Sequence, residues 1–224
     1  MAVNKEAYSG IIDELKDKAV LVAVSKTKPV SDIKVLYYSG QRDFGENYVQ
    51  ELIEKQSQLP QDIRWHFIGH LQSNKVKSIA PFVYLVHGVD SFKLLKEINK
   101  QAQKNKRIIN CLLQVHIAEE ETKFGFNEEE LDKLFANQEL HELQNIKILG
   151  LMGMASFTDD LNKVRNEFSS LKKLFNKYKE LTPGNSLFDI LSMGMSSDYK
   201  IALEEGSTMV RIGSLLFGAR DYQE

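Results

Sequence analysis

Apolar and polar positions along the chain alternate between two periods. Eight short runs have the length and composition of strands: VLVAVSK (20–26), RDFGE (42–46), RWHFIG (64–69), YLVHGVD (84–90), IINCLLQVHI (108–117), IKILGLMGM (146–154), LFDILSMGM (187–195) and TMVRIG (208–213). Between them lie longer stretches of helical period, among them SDIKVLYYSG, NYVQELIEKQSQ, SNKVKSIA, SFKLLKEINKQAQKNK, NEEELDKLFANQEL, DLNKVRNEFSSLKKLFNKYKEL and DYKIALEEG. A further helix is predicted ahead of the first strand, where NKEAYSGIIDELKDK puts Tyr8, Ile11, Ile12 and Leu15 on one face.

Strands separated by helices imply a parallel sheet covered on both faces. Eight such units in 224 residues favour a closed (β/α)8 barrel over an open doubly wound sheet. No Gly/Ser/Pro-rich linker or charge block divides the chain, so residues 1–224 are expected to form a single domain. Lys plus Arg (29) nearly balances Asp plus Glu (31), which argues against nucleic acid or an anionic membrane as a partner. The lysine-rich KEINKQAQKNKR reads as the wet face of a helix. A single cysteine, Cys111, and an N-terminus without a signal-peptide pattern point to the cytoplasm. No apolar segment approaches the roughly 20 residues that span a bilayer.

In a barrel of this kind the reactive face lies at the C-terminal ends of the strands. Those ends carry Lys26, Glu46 and Asn47, His70, Asp90, the loop from Thr122 to Gly125, Met154, Ser192 to Ser197, and Arg211 to Ser214. Lys26 is in phase with Val20, Val22 and Val24, and a lysine so placed can act as a nucleophile towards a carbonyl, giving a Schiff base. An ion pair with Glu46 or Asp90 is the competing reading, and spacing leaves both open. SMGMSSDYKIALEEG runs through Gly194 into small residues and then a helix, and Gly213 and Ser214 follow the eighth strand. Both positions suit a phosphate, though Ser196 and Ser197 could equally serve as helix caps. Arg211 lies two residues before Gly213 on the same face. A lysine for an aldehyde, phosphate donors and an arginine between them outline pyridoxal phosphate (PLP).

These stretches, AVSKTKP, FGENYVQE, WHFIGHLQSNK, KFGF, LMGM and LSMGMSSDYKIALEEGSTMVRIGSLLFG, resemble the pyridoxal phosphate homeostasis protein family, in order and over nearly the whole chain. The resemblance implies a barrel like the N-terminal domain of alanine racemase (PLP fold type III), with PLP covalently held on Lys26. It also implies Asn47 near the cofactor ring, Arg211 facing the pyridine nitrogen, Ser196, Gly213 and Ser214 on the phosphate, and Met195 beside it. The implied role is to carry and buffer PLP, with PLP-requiring apoenzymes as partners.

The alternative is a PLP-dependent amino-acid racemase or another weak Schiff-base enzyme. A two-base racemase needs an acid/base group on each face of the substrate. In the racemases the second group is a tyrosine supplied with an additional C-terminal domain, and this chain ends about ten residues after its eighth strand, which also favours a monomer. Of Tyr48, Tyr84 and Tyr199, the first is expected to pack at the start of a helix. Arg211 also holds its protons too tightly to leave one on a pyridine nitrogen, which weakens the ring as an electron sink. A sugar-phosphate aldolase would share the lysine and the phosphate site but has no need of FGEN or SMGMS.

No metal site is expected. His66 and His70 are about 13 Å apart on a strand, with His66 in the core and His70 at the pocket mouth. Cys111 reads as a small hydrophobe. Gly153 and Gly194, each between two methionines, read as room for a ring or backbone, or else the methionines pack the barrel floor.

Overall fold

The computed structural model describes residues 3–118, 124–181 and 187–218. All eight predicted strands form: β1 (Val20–Val24), β2 (Asp43–Glu46), β3 (Arg64–Phe67), β4 (Leu85–Val89), β5 (Ile109–Val115), β6 (Ile146–Gly153), β7 (Ile190–Ser192) and β8 (Met209–Ile212). They pair in parallel and in chain order, and β8 closes on β1 with Val22 opposite Arg211. The connections run through α2 (Val30–Tyr38), α3 (Val49–Gln58), α4 (Val76–Ile79), α5 (Phe92–Lys104), α6 (Glu128–Ala136), α7 (Leu161–Leu181) and α8 (Tyr199–Glu204). The chain is thus an α/β barrel, with the predicted extra helix α1 (Lys5–Leu15) ahead of it and the short α9 (Ser214–Phe217) after β8.

Each strand's outward residues join the helices in one large core, which takes in Leu21, Ala23, Phe44, Trp65, Phe67 and Cys111. Inward residues form a smaller apolar layer of Val22, Leu85, Leu112, Met152 and Met209. Alternation along β1 therefore puts Val22 inside the barrel, as period two requires. Asn4 caps α1 by accepting from the Ala7 N–H at 2.9 Å, and Tyr8, Ile11 and Leu15 are buried. Ile12 departs from expectation: it is 39% exposed, at the edge of the face rather than on it.

Two predicted helices are shorter than their periodicity suggests. SNKVKSIA splits into a 3-10 turn at Ser73–Lys75 and the four residues of α4. NEEELDKLFANQEL breaks at Asn137, whose backbone is extended and whose side chain accepts from the Glu139 N–H at 3.0 Å, starting a new 3-10 turn. Asn and Asp make this local bond in competition with the helix. No described helix is long and apolar enough to cross a membrane.

Candidate functional site

The lysine of the first strand run lies beyond the strand. The ladder reaches Ser25, whose N–H donates to Gly45 O at 3.0 Å, and a turn from Ser25 to Lys28 follows, closed by Lys28 N–H on Ser25 O at 3.0 Å. Thr27 takes a left-handed φ of 63°, which a β-branched residue adopts only when its surroundings hold it there. Lys26 thus occupies the crest of a turn at the barrel's C-terminal mouth, half-buried, and the expectation that it continues the strand is corrected.

Beneath the turn is a buried ionic cluster. Lys55 of α3 donates to Ser25 O at 2.7 Å, to Glu46 Oε1 at 2.8 Å and to Glu51 Oε1 at 2.6 Å. The Ser25 hydroxyl donates to the same Glu46 oxygen at 2.6 Å, and the Thr27 N–H donates to Glu51 at 2.6 Å. Glu46 Oε2 is buried without a hydrogen-bond partner. Burial pushes the Glu46 carboxyl up to about 7 against the opposing pull of Lys55 and Ser25. Glu46 is paired with Lys55, and Asp90 pairs with His70 at 3.0 Å.

The loops after β7 and β8 meet as the sequence suggested. The Gly213 N–H donates to Ser196 Oγ at 3.3 Å, and Asp198 accepts from the Met195 N–H at 2.5 Å, folding the segment back before α8. Gly194 has φ 95°, and a Cβ there would lie 2.6 Å from Ala202 Cβ. That close approach is to α8, whose Tyr199 Cα would lie 3.0 Å away, in line with room for backbone at Gly194, and a Cβ on Gly153 would meet the Leu171 side chain of α7. Their methionines divide: Met152 lies inside the barrel with Met154 packed against it, while Met193 joins the outer core.

Arg211 reaches into the barrel interior, 4% exposed. Its guanidinium donates to Ser192 O at 2.9 Å, Ser192 Oγ at 2.7 Å and Gly153 O at 3.0 Å. Burial lowers its pKa to about 10, which still leaves it charged at neutral pH. Three of the five guanidinium donors are thereby satisfied.

Asn47 follows β2 at the mouth, half-buried, and its carbonyl oxygen would lie 2.3 Å from a Cβ on residue 69, which explains the glycine there. His70 stacks on Phe124 with centroids 4.2 Å apart, on the rim as expected. Thr122 and Lys123 of the predicted rim loop lie outside the described residues. Tyr48 is 60% exposed beside Asn47, so the packing role expected of it is corrected: its extended backbone, at the residue before α3, keeps the ring off the helix face that buries Leu52 and Lys55. Tyr84 precedes β4 at the opposite end of the barrel, and Tyr199 donates to Glu14 of α1 at 2.8 Å. Sequence reasoning missed Lys55 and Glu51, as well as the interior pair Asp43 and His87; the signal available for the latter two was the inward phase they share with His66.

The family model for the alanine racemase N-terminal domain matches residues 5–221. The pyridoxal phosphate homeostasis protein of Pasteurella multocida is 42% identical over 209 residues, covering 91% of this chain and 88% of its own. That of Escherichia coli is 38% identical over 212 residues, with 93% and 88% covered. The structure of PipY from Synechococcus elongatus with PLP bound matches at TM-score 0.87 and 34% identity, covering 95% of this chain and 99% of that one. An alanine racemase from Bartonella henselae shares the fold at TM-score 0.74 and 16% identity, the match taking in all of this chain and 62% of the racemase. The chain belongs to the alanine racemase N-terminal domain family and, within it, to the pyridoxal phosphate homeostasis proteins.

Proposed function

We propose that this protein binds pyridoxal 5'-phosphate at the barrel mouth, buffers its concentration and delivers it to PLP-requiring apoenzymes, rather than turning over amino acids. The observation that carries the reading is the charged Arg211, 4% exposed in the barrel interior, in the strand that leads into the Ser196–Gly213 junction. A buried cation is costly unless acceptors surround it, and a bound ligand would add to those Arg211 already has. The donor set fits the cofactor. Lys26 is the amine that bonds its aldehyde, Asn47 lies by the ring, Arg211 meets the ring nitrogen, and Ser196, Gly213 and Ser214 hold the phosphate with Met195 alongside. Bound PLP would supply an electrophilic carbonyl and an electron-withdrawing ring. Arg211 lowers that withdrawing power because it cannot give up its proton to the ring. Names borne by the relatives, and the PLP-bound PipY, support the same reading.

A carrier needs one bonding amine and a reversible grip; a racemase needs a second base. Tyr199 is tied to Glu14 and Tyr84 lies at the far end, which leaves the exposed Tyr48 as the residue by which weak Schiff-base catalysis would arise. Residues 1–224 act as one PLP-binding domain, monomeric and cytoplasmic, with no metal or nucleic acid required. Loading the purified protein with PLP, removing free cofactor by gel filtration and adding an apoenzyme tests this. One retained equivalent that restores the apoenzyme's activity is the expected result; no retained cofactor would refute it.

A further inference from the structure

Five polar side chains of the barrel's interior form one continuous line. Arg211 Nη1 meets Ser192 Oγ at 2.7 Å, Ser192 Oγ meets His87 Nδ1 at 3.1 Å, His87 Nε2 meets His66 Nδ1 at 2.9 Å, and His66 Nε2 meets Asp43 Oδ1 at 3.0 Å. The line crosses the barrel through β8, β7, β4, β3 and β2, from the proposed cofactor mouth to the opposite end. Both histidines and Ser192 are fully buried. Asp43 is held at its far side by a bidentate pair with Arg64, at 2.7 and 2.5 Å.

The two ends fix the direction of every bond between them. A guanidinium can only donate and a carboxylate can only accept. Desolvation holds both imidazoles below the usual histidine range, so each carries a single proton. His66 must then donate from Nε2 to Asp43, which makes its Nδ1 an acceptor. His87 must donate from Nε2 to His66, and its own Nδ1 accepts the Ser192 hydroxyl proton. Ser192 Oγ is left with its lone pairs facing Arg211.

We propose that Asp43, His66, His87 and Ser192 are positioning residues for the cofactor: a one-way relay in which a carboxylate at one end of the barrel keeps the Ser192 oxygen turned to accept from Arg211 at the other. The proposal rests on the reading that Arg211 meets bound PLP. Without the anion, the direction is no longer imposed. An asparagine at 43 can present its amide N–H instead, both rings can exchange tautomers, and His87 would then donate to Ser192 and compete with Arg211 for the same oxygen.

Two measurements separate the relay from the cofactor reading. Imidazole 15N NMR of the cofactor-free protein at neutral pH is expected to show His66 and His87 neutral, each protonated at Nε2 alone, in the wild type and in Arg64→Gln, which keeps the carboxylate. Asp43→Asn is expected to lose that single pattern. A wild-type ring protonated at Nδ1, or at both nitrogens, overturns the relay. With PLP bound, Asp43→Asn and Ser192→Ala should each release cofactor several-fold faster and shift its visible band, with Ser192→Thr restoring both and Arg64→Gln matching the wild type. Release and spectrum unchanged in Asp43→Asn also overturn it. Failure of the wild type to retain PLP would refute the cofactor reading alone, because the tautomers are read without it.

Discussion

The turn that carries Lys26 stands on a buried ammonium, and removing that charge has a calculable cost with a distinctive pH signature. Lys55 is 5% exposed and Glu46 is fully buried. Lys55→Met keeps most of the volume but leaves the Glu46 carboxylate with the Ser25 hydroxyl as its remaining partner. Breaking a buried pair by deleting one member costs about 3–5 kcal/mol, a large share of the roughly 5–15 kcal/mol that holds a domain together. The loss depends on the Glu46 proton. Its folded pKa is raised to about 7 from 4.5, so the native state binds the proton more tightly and stability falls as pH climbs through that window. Without Lys55 the upper edge of the window moves higher, and each further unit adds about 1.4 kcal/mol of cost at alkaline pH. Urea unfolding at about pH 5.5 and about pH 8, followed by the fluorescence of the only tryptophan, Trp65, reads both effects. The variant is expected to lose up to about 1.4 kcal/mol more than the wild type at the higher pH, the one unit between about 7 and 8, and Glu46→Gln in the same background is expected to recover most of that difference. A loss equal at the two pH values, or no recovery in the double variant, would refute the reasoning.

Ser196→Ala removes the oxygen that ties Gly213 to the seventh loop, and equilibrium dialysis should show PLP affinity weakened about tenfold, near 1.4 kcal/mol, with phosphate-free pyridoxal little affected. Gly194→Ala forces a Cβ against Ala202 at φ 95° and should destabilise the fold by about 1–3 kcal/mol in urea titrations. Alanine incubated in deuterated solvent with the PLP-loaded protein should exchange its α-proton no faster than with free PLP; exchange that Tyr48→Phe abolishes would instead favour the racemase reading.

Strand count and strand order were legible because each run is bounded by turn residues and followed by helical period, and closure then follows from eight right-handed units. The positions of Lys26, Ser196, Gly213 and Arg211 at or just beyond strand C-termini were legible from strand phase and the turn residues that follow. The turn at Thr27 was hidden, since its left-handed backbone is imposed by Glu51 and Lys55 from a helix more than twenty residues away. The interior line of Asp43, His66, His87 and Ser192 was hidden for a related reason. Period two says that each points inward, but only closure of the barrel brings residues from four strands into a single file. Gly153 and Gly194 were legible as close approaches, but which element approaches was not, because the space beside a strand-end glycine faces a helix as readily as a ligand.

The most direct test asks which amine bonds the cofactor. The protein is incubated with PLP, reduced with borohydride and mapped by peptide mass spectrometry. The account predicts a pyridoxyl adduct at Lys26, absent from Lys26→Ala and undiminished in Lys28→Ala. An adduct confined to Lys28, or no adduct on the turn at all, would contradict it.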